Sequence, residues 1–253
     1  MVARTPRVVS PVSMVRVARP STVDLIAAEL RSAIFTGALP VGSPIGEVEM
    51  SSQLGVSRSP LRESTQRLVQ EGLLTASPGR GMRVSVIGAE HVADVYDARL
   101  AIEGHAVRLI AAAGKASALE ALESAYAELV AVSKGTDARA IGDADLDFHR
   151  LLVASAGSPR LSRYMGTLAI ETRIASFSDE HGYTVRRSVS ETYRQLLDAL
   201  AAGDSAAAFD ALKRQFDEAV ARLTGKDDAV ETVETPADEE PPSLAPIEFS
   251  EGR

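Results

Sequence analysis

The chain has 253 residues, 45% of them hydrophobic and 25% charged, the balance of a folded globular protein with room for one large domain or two compact ones. It holds no cysteine, which excludes a disulfide frame, a thiolate nucleophile and a cysteine metal site, and 4% aromatic content with no tryptophan argues against base stacking as the main activity. The formal charge of −8 is unevenly placed: residues 1–86 carry ten arginines against six acids, whereas residues 226–253 carry nine acids against two bases. A basic front suited to a polyanion therefore precedes an acidic end. No stretch approaches the roughly 18 uninterrupted apolar residues that span a bilayer, and the N-terminus lacks the apolar core of a signal peptide, so the expected compartment is the cytoplasm with no membrane partner.

Residues 1–20 hold four arginines and no acids without helical or strand periodicity, and a flexible basic arm is expected there. From Thr22 to Phe35 the apolar positions Val23, Ile26, Ala27, Leu30 and Ile34 recur at helical spacing behind a Ser21/Thr22 cap and stop before Gly37. A Pro- and Gly-containing connector over 37–46 leads to a short helix at about Glu47 to Leu54. Gly55-Val56-Ser57 then makes a tight turn, and Ser57 or Ser59 caps a longer helix reaching about Glu71. Two helices joined by a turn of about three residues containing Gly mark a helix-turn-helix. After Gly72 the pattern alternates in Leu73 to Ala76, breaks at Ser77-Pro78-Gly79-Arg80-Gly81 and resumes in Met82 to Val86, which predicts two strands around a Gly-rich tip. Residues 21–86 thus read as a winged helix-turn-helix. Residues 87–225 show only Ala- and Leu-rich helical periodicity, with breaks near Gly114, Gly135, Gly157, 179–182 and Gly203 that delimit about six helices. The acidic, Pro-containing run 226–253 reads as a disordered tail. The fold class is mainly α: a winged helix-turn-helix followed by an all-α bundle.

The second helix of a helix-turn-helix lies in the DNA major groove and offers its first turns to bases and phosphates. Here those turns are Ser57-Arg58-Ser59-Pro60-Leu61-Arg62-Glu63. Arg58 and Arg62, four residues apart, project from one face where each guanidinium can grip guanine or phosphate in a fork, while Leu61, Thr65, Leu68 and Val69 supply the opposite, docking face. Arg80, between two glycines, puts a guanidinium at the wing tip. In the helical half, Asp145 and His149 are four apart, side by side on a helix, the spacing of a shared divalent metal or of a hydrogen-bonded pair. Arg99 and Glu103 have the same spacing, which also makes a plain intrahelical salt bridge. Arg173, Arg186 and Arg187 read as a solvated face, or as the lining of a pocket for an anion; His91, His105 and His181 read as surface or packing residues.

The stretch from Glu47 through Val84, with LGVSRSPLRESTQRLVQEGLL followed by PGRGMRV, resembles the DNA-binding domain of GntR-family bacterial transcription regulators. The helical remainder resembles the FadR-type (FCD) branch of that family, whose effector domain is an all-helical bundle. The resemblance implies that Arg58, Arg62 and Arg80 touch an operator, with Ser57 and Ser59 in the same helix start. It also implies a homodimer on a short inverted repeat of double-stranded DNA. Val48 stands where some relatives carry an arginine. Asp145-Leu146-Asp147-Phe148-His149 is similar to the metal-ligating D-x-x-F-H of many such bundles, which add two histidines from the last two helices. Those two positions hold Tyr193 and Gln215 here, so Asp145 and His149 cannot close a tetrahedral site without water or an effector oxygen. The expectation is no tightly held divalent metal, or a weak site completed by ligand. An organic pocket is the other use of these residues: Arg99 as a carboxylate clamp, with hydrogen bonds from Asp145, His149, Tyr193 and Gln215. The expected function is a non-enzymatic, effector-responsive repressor binding a small carboxylate or acyl ligand; the alternative is a metal-dependent sensor or hydrolase using Asp145 and His149.

Overall fold

Ser21 starts the first helix by exchanging bonds with Asp24. The Asp24 N–H donates to the Ser21 hydroxyl at 3.1 Å and the Ser21 N–H donates to the Asp24 carboxylate at 3.0 Å, which satisfies two otherwise orphaned donors. The Ser21 hydroxyl and backbone, with Arg67 beyond them, hold the Asp24 carboxyl down at about 2. This computed structural model describes residues 20–79, 81–114, 116–177, 184–186, 191–225 and 232–234. The basic arm before Pro20, Arg80, His181, Arg187 and most of the acidic tail lie outside the described residues.

Helix α1 (Thr22–Phe35) is followed by β1 (Pro44–Ile45), α2 (Glu47–Gln53), α3 (Arg58–Gln70), β2 (Leu74–Ser77) and β3 (Gly81–Val84). The chain turns between α2 and α3 at Gly55, whose φ of 65° lies in the left-handed region that glycine enters at no steric cost. The strands form one antiparallel sheet in the order β1-β3-β2, with Leu74 opposite Val84 and Ser77 opposite Gly81. Strand β1 corrects the sequence reading, which left 37–46 as a connector. Two residues are too few to show alternation, and only pairing with Arg83 and Met82 makes Pro44 and Ile45 a strand. The apolar stripe of α1 (Ile26, Leu30, Ile34) packs with Leu54, Leu61, Leu68, Leu73 and Val84 into the head's core. Each such side chain contributes about 1.5–3 kcal/mol by leaving water.

Six helices follow within the described residues: α4 (Ala89–Ala113), α5 (Ala116–Val132), α6 (Ala138–Ser155), α7 (Pro159–Phe177), α8 (Glu191–Ala201) and α9 (Ser205–Leu223). Two small satellites, β4 (Thr184–Arg186) and β5 (Thr232–Glu234), pair antiparallel with Val185 opposite Val233. Residues 232–234 were expected within a disordered tail. Their backbone pairs Thr232 with Arg186 and Val233 with Val185, a match between segments far apart in sequence that composition cannot reveal. Helices α4 and α9 approach closely at Gly104, where a Cβ would lie 2.5 Å from the Phe209 ring. Head and bundle share apolar packing: Ile174 of α7 is fully buried in the head's core, with Ile170 and Ile87 beside it.

Candidate functional site

Helix α3 presents two chemically distinct faces. Leu61, Ser64, Thr65 and Leu68 are buried, and the Ser64 hydroxyl donates to the backbone of α1 or α3, through the carbonyls of Val23 (3.0 Å) and Pro60 (2.8 Å). Ser57, Arg58, Ser59 and Arg62 are exposed, and the Ser57 side chain makes no cap bond although Ser57 holds the N-cap position. Other arginines of the head are tied down. Arg67 pairs with Asp24 and Glu71, Arg31 with Glu71, and Arg83 donates to the Gly42 carbonyl. Arg62 Nε donates to Glu47 Oε2 at 2.8 Å, yet its side chain stays 61% exposed. This pair links α2 to α3 on the open side of the head, beside Val48, which is 62% exposed on α2.

The polar residues of the bundle converge from three helices. Arg99 and Glu103 of α4 are 1% and 0% exposed, and Arg99 Nε donates to Glu103 Oε1 at 2.8 Å. The other Glu103 oxygen lies 2.6 Å from His149 Nδ1 of α6. His149 Nε2 lies 3.2 Å from the Tyr193 hydroxyl of α8, which in turn donates to Asp145 of α6. Arg99, Glu103, His149, Tyr193 and Asp145 thus form one continuous hydrogen-bonded chain. The ring of Phe216 stacks 4.5 Å from the Arg99 guanidinium carbon, with Tyr96 at 5.0 Å, and Phe148 meets Tyr193 edge-on at 5.1 Å. Burial works to raise the Glu103 carboxyl, but Arg99 and His149 outweigh it and hold it below its ordinary value. Burial and then Asp145 push the Tyr193 phenol well above its ordinary value, so it stays a neutral donor. Gln215 on α9 is buried with both amide atoms unbonded, and Arg99 Nη2 is likewise buried without an acceptor.

Residues 22–84 match the model for bacterial regulatory proteins of the gntR family, and residues 94–234 match the FCD domain. The chain belongs to the GntR family. It is 34% identical over 181 residues to a probable D-xylose utilization operon transcriptional repressor of Paenarthrobacter nicotinovorans, covering 71% of this chain and 78% of that protein. It is 30% identical over 188 residues to the Nta operon transcriptional regulator of Aminobacter aminovorans, covering 73% and 88%. A putative GntR regulator from Rhodococcus sp. RHA1 superposes with a TM-score of 0.67 at 28% identity, covering 81% of this chain and 98% of that one. This GntR-family protein is therefore a DNA-binding transcription regulator with an FCD bundle, and none of its described helices is long and apolar enough to cross a membrane.

The residues of this GntR regulator do not fit the divalent metal that its family resemblance raises. A metal shared by Asp145 and His149 needs the space and lone pairs that the Tyr193 hydroxyl takes, since that hydroxyl bonds both. Both ring nitrogens of His149 are engaged, and Gln215 offers a weak amide oxygen where a histidine is needed. Among the described residues no three His, Asp or Glu side chains are grouped as a metal site. Of the two readings of Arg173, a solvated face or the lining of a pocket, the first is corrected: its side chain is 3% exposed, binds Asp143 at 2.9 Å and lines a cleft, because α7 runs beneath the head rather than along the surface. His91 and His105 are exposed, as expected of surface residues. The aromatic residues Tyr96 and Phe216 escaped sequence reading, since at helical spacing they are indistinguishable from core; their proximity to Arg99 and, for Phe216, to His149 is a tertiary fact.

Proposed function

We propose that this regulator is a repressor that reads an inverted repeat as a homodimer, and that a small carboxylate or acyl effector bound in the FCD bundle sets its operator affinity. The carrying observation is a pair of unmet hydrogen-bonding demands in a protein core. Arg99 Nη2 and both amide atoms of Gln215 are buried without partners, a cost of about 1–3 kcal/mol for each such group; a ligand carboxylate would accept from Arg99 Nη2 and Gln215 Nε2, and a donor on the same ligand would serve Gln215 Oε1. Arg99 keeps one edge fixed by Glu103 and sandwiched by aromatic rings, which orients the remaining N–H donors toward a ligand. The same residues support an organic ligand rather than a metal. On the DNA side, Ser57, Arg58, Ser59 and Arg62 supply the groove-facing surface of α3, and Arg80 is assigned to the wing tip on sequence grounds. One such helix reads about half a helical turn, so two copies related by a two-fold axis match an inverted repeat.

The mechanism is linkage. An effector that binds one arrangement of the bundle more tightly shifts the dimer toward that arrangement and changes the spacing of the two α3 helices, typically by a coupling of about 1–3 kcal/mol. Helix α7, with Ile174 in the head's core, is the physical link through which a shift in the bundle reaches the head. The test is a melting-temperature screen of the whole chain against carboxylates and acyl thioesters, with and without divalent metal, followed by operator titration. A hit should raise the melting temperature, change operator affinity, and lose both effects in Gln215→Leu. Absence of any such ligand, or a hit that Gln215→Leu leaves unchanged, overturns the assignment.

A further inference from the structure

A second polar site lies between head and bundle, away from the Arg99–Asp145 chain. The cleft has a volume of about 630 Å³ and is walled on one side by α1 and on the other by the start of α6 and by α7. Three arginines face it: Arg31 from the head, Arg139 and Arg173 from the bundle. Arg31 is taken by Glu71 at 2.7 Å, and Arg173 by Asp143 at 2.9 Å and the Arg139 carbonyl. Asp137, the other acid of the cleft, turns one carboxylate oxygen, Oδ1, to the start of α6, where it accepts the N–H groups of Arg139 and Ala140 at 2.9 and 3.0 Å. That leaves the Arg139 guanidinium with no carboxylate partner among the described residues, and its Nε is buried without an acceptor. Its Nη2 lies 3.0 Å from the position a Cβ on Gly37 would take, so the guanidinium presses against the turn that ends α1.

We infer that this cleft is a binding site for a small oxyanion, a phosphate or carboxylate group on a metabolite, held chiefly by Arg139. A guanidinium offers two parallel N–H donors that match one edge of either group, and Arg139 still has its donors to spend. Because Arg139 belongs to α6 and its neighbour Arg31 to α1, an anion seated here bridges the two domains. This site is independent of the effector reading above and shares no residue with it.

The test is calorimetric titration of the full chain, exchanged into chloride, with inorganic phosphate and, in a separate arm, acetate, at constant ionic strength. Saturable binding of phosphate, acetate or both, with one site per chain and about millimolar strength, is the expected result. Arg139→Gln should weaken it by about tenfold or more, whereas Gln215→Leu should retain it. Non-saturating heats with both anions, unchanged binding in Arg139→Gln, or loss in Gln215→Leu each overturn the proposal. If Arg139→Gln does not fold by circular dichroism, Arg139→Lys is read instead: it keeps the charge without the fork, and undiminished binding there overturns the assignment to Arg139.

Discussion

Replacing Glu103 by Gln removes the anion at the centre of the buried chain with almost no change in volume. Glu103 accepts from Arg99 Nε at 2.8 Å and faces His149 Nδ1 at 2.6 Å, and neither Arg99 nor Glu103 is more than 1% exposed. The guanidinium of Arg99 is then a buried cation without a counter-charge. Breaking such a pair from one side costs about 3–5 kcal/mol. Part is recovered, because the glutamine NH2 can donate to Nδ1 if His149 changes tautomer, so the lower end applies: about 3 kcal/mol, or about 6–12 °C in melting temperature for a chain of this size. Chemical and thermal denaturation followed by circular dichroism measure it. Arg99→Met combined with Glu103→Leu should be more stable than Glu103→Gln alone, since it removes both charges and leaves only the neutral His149 Nδ1 without its partner. A loss below about 1 kcal/mol in Glu103→Gln, or a double variant less stable than the single one, would refute the view that charge pairing dominates this core.

Arg58→Ala and Arg62→Ala should each weaken operator binding by about 1–3 kcal/mol while leaving the fold intact; fluorescence anisotropy at several salt concentrations separates a lost phosphate contact, which lowers the salt slope by about one, from a lost base contact. Glu47→Gln should leave stability within about 1 kcal/mol, because its pair with Arg62 is exposed, but should raise affinity for unrelated DNA relative to the operator, read by competition. Gly104→Ala should destabilise by about 1–3 kcal/mol in a thermal melt, as its methyl group meets the Phe209 ring at 2.5 Å and forces α4 from α9. Acid should erase the effect of Glu103→Gln. Glu103 is held below its ordinary value in the folded chain, so its stabilisation is complete above that value and fades as pH falls beneath it. Melting curves of the two proteins should therefore draw together as pH falls from the ordinary carboxylate range toward the lowered folded value, and a gap that widens on acidification contradicts the pairing.

Elements whose pattern repeats over several turns were legible in the sequence. Helix α1 begins and ends at Thr22 and Phe35 as its apolar spacing and Ser21 cap require, and the six bundle helices break at Gly114, Gly135, Gly157 and Gly203. What escaped was set by partners distant along the chain. Strand β1 exists through Arg83 and Met82, β5 through β4, and the burial of Arg173 through the head above α7. The candidate site divides in the same way. Spacing by four put Arg99 with Glu103 and Asp145 with His149, but the meeting of the two pairs at 2.6 Å depends on how α4 packs against α6. Tyr193 was found through the family pattern as a substituted histidine; its bond to Asp145 shows what it does in that place.

The insertion of Ile174 into the head's core also bears on modularity. Families that combine one kind of reading head with varied sensory domains invite engineering by exchange, yet here the seam runs through a shared apolar layer rather than along the tether at 85–88. A hybrid assembled by cutting at that tether would bury a foreign residue, or leave an unfilled socket, beneath α1. Heads and sensors in such proteins must therefore change in concert at their contact, and a functional graft has to carry the Ile170–Ile174 segment of α7 along with the head it serves.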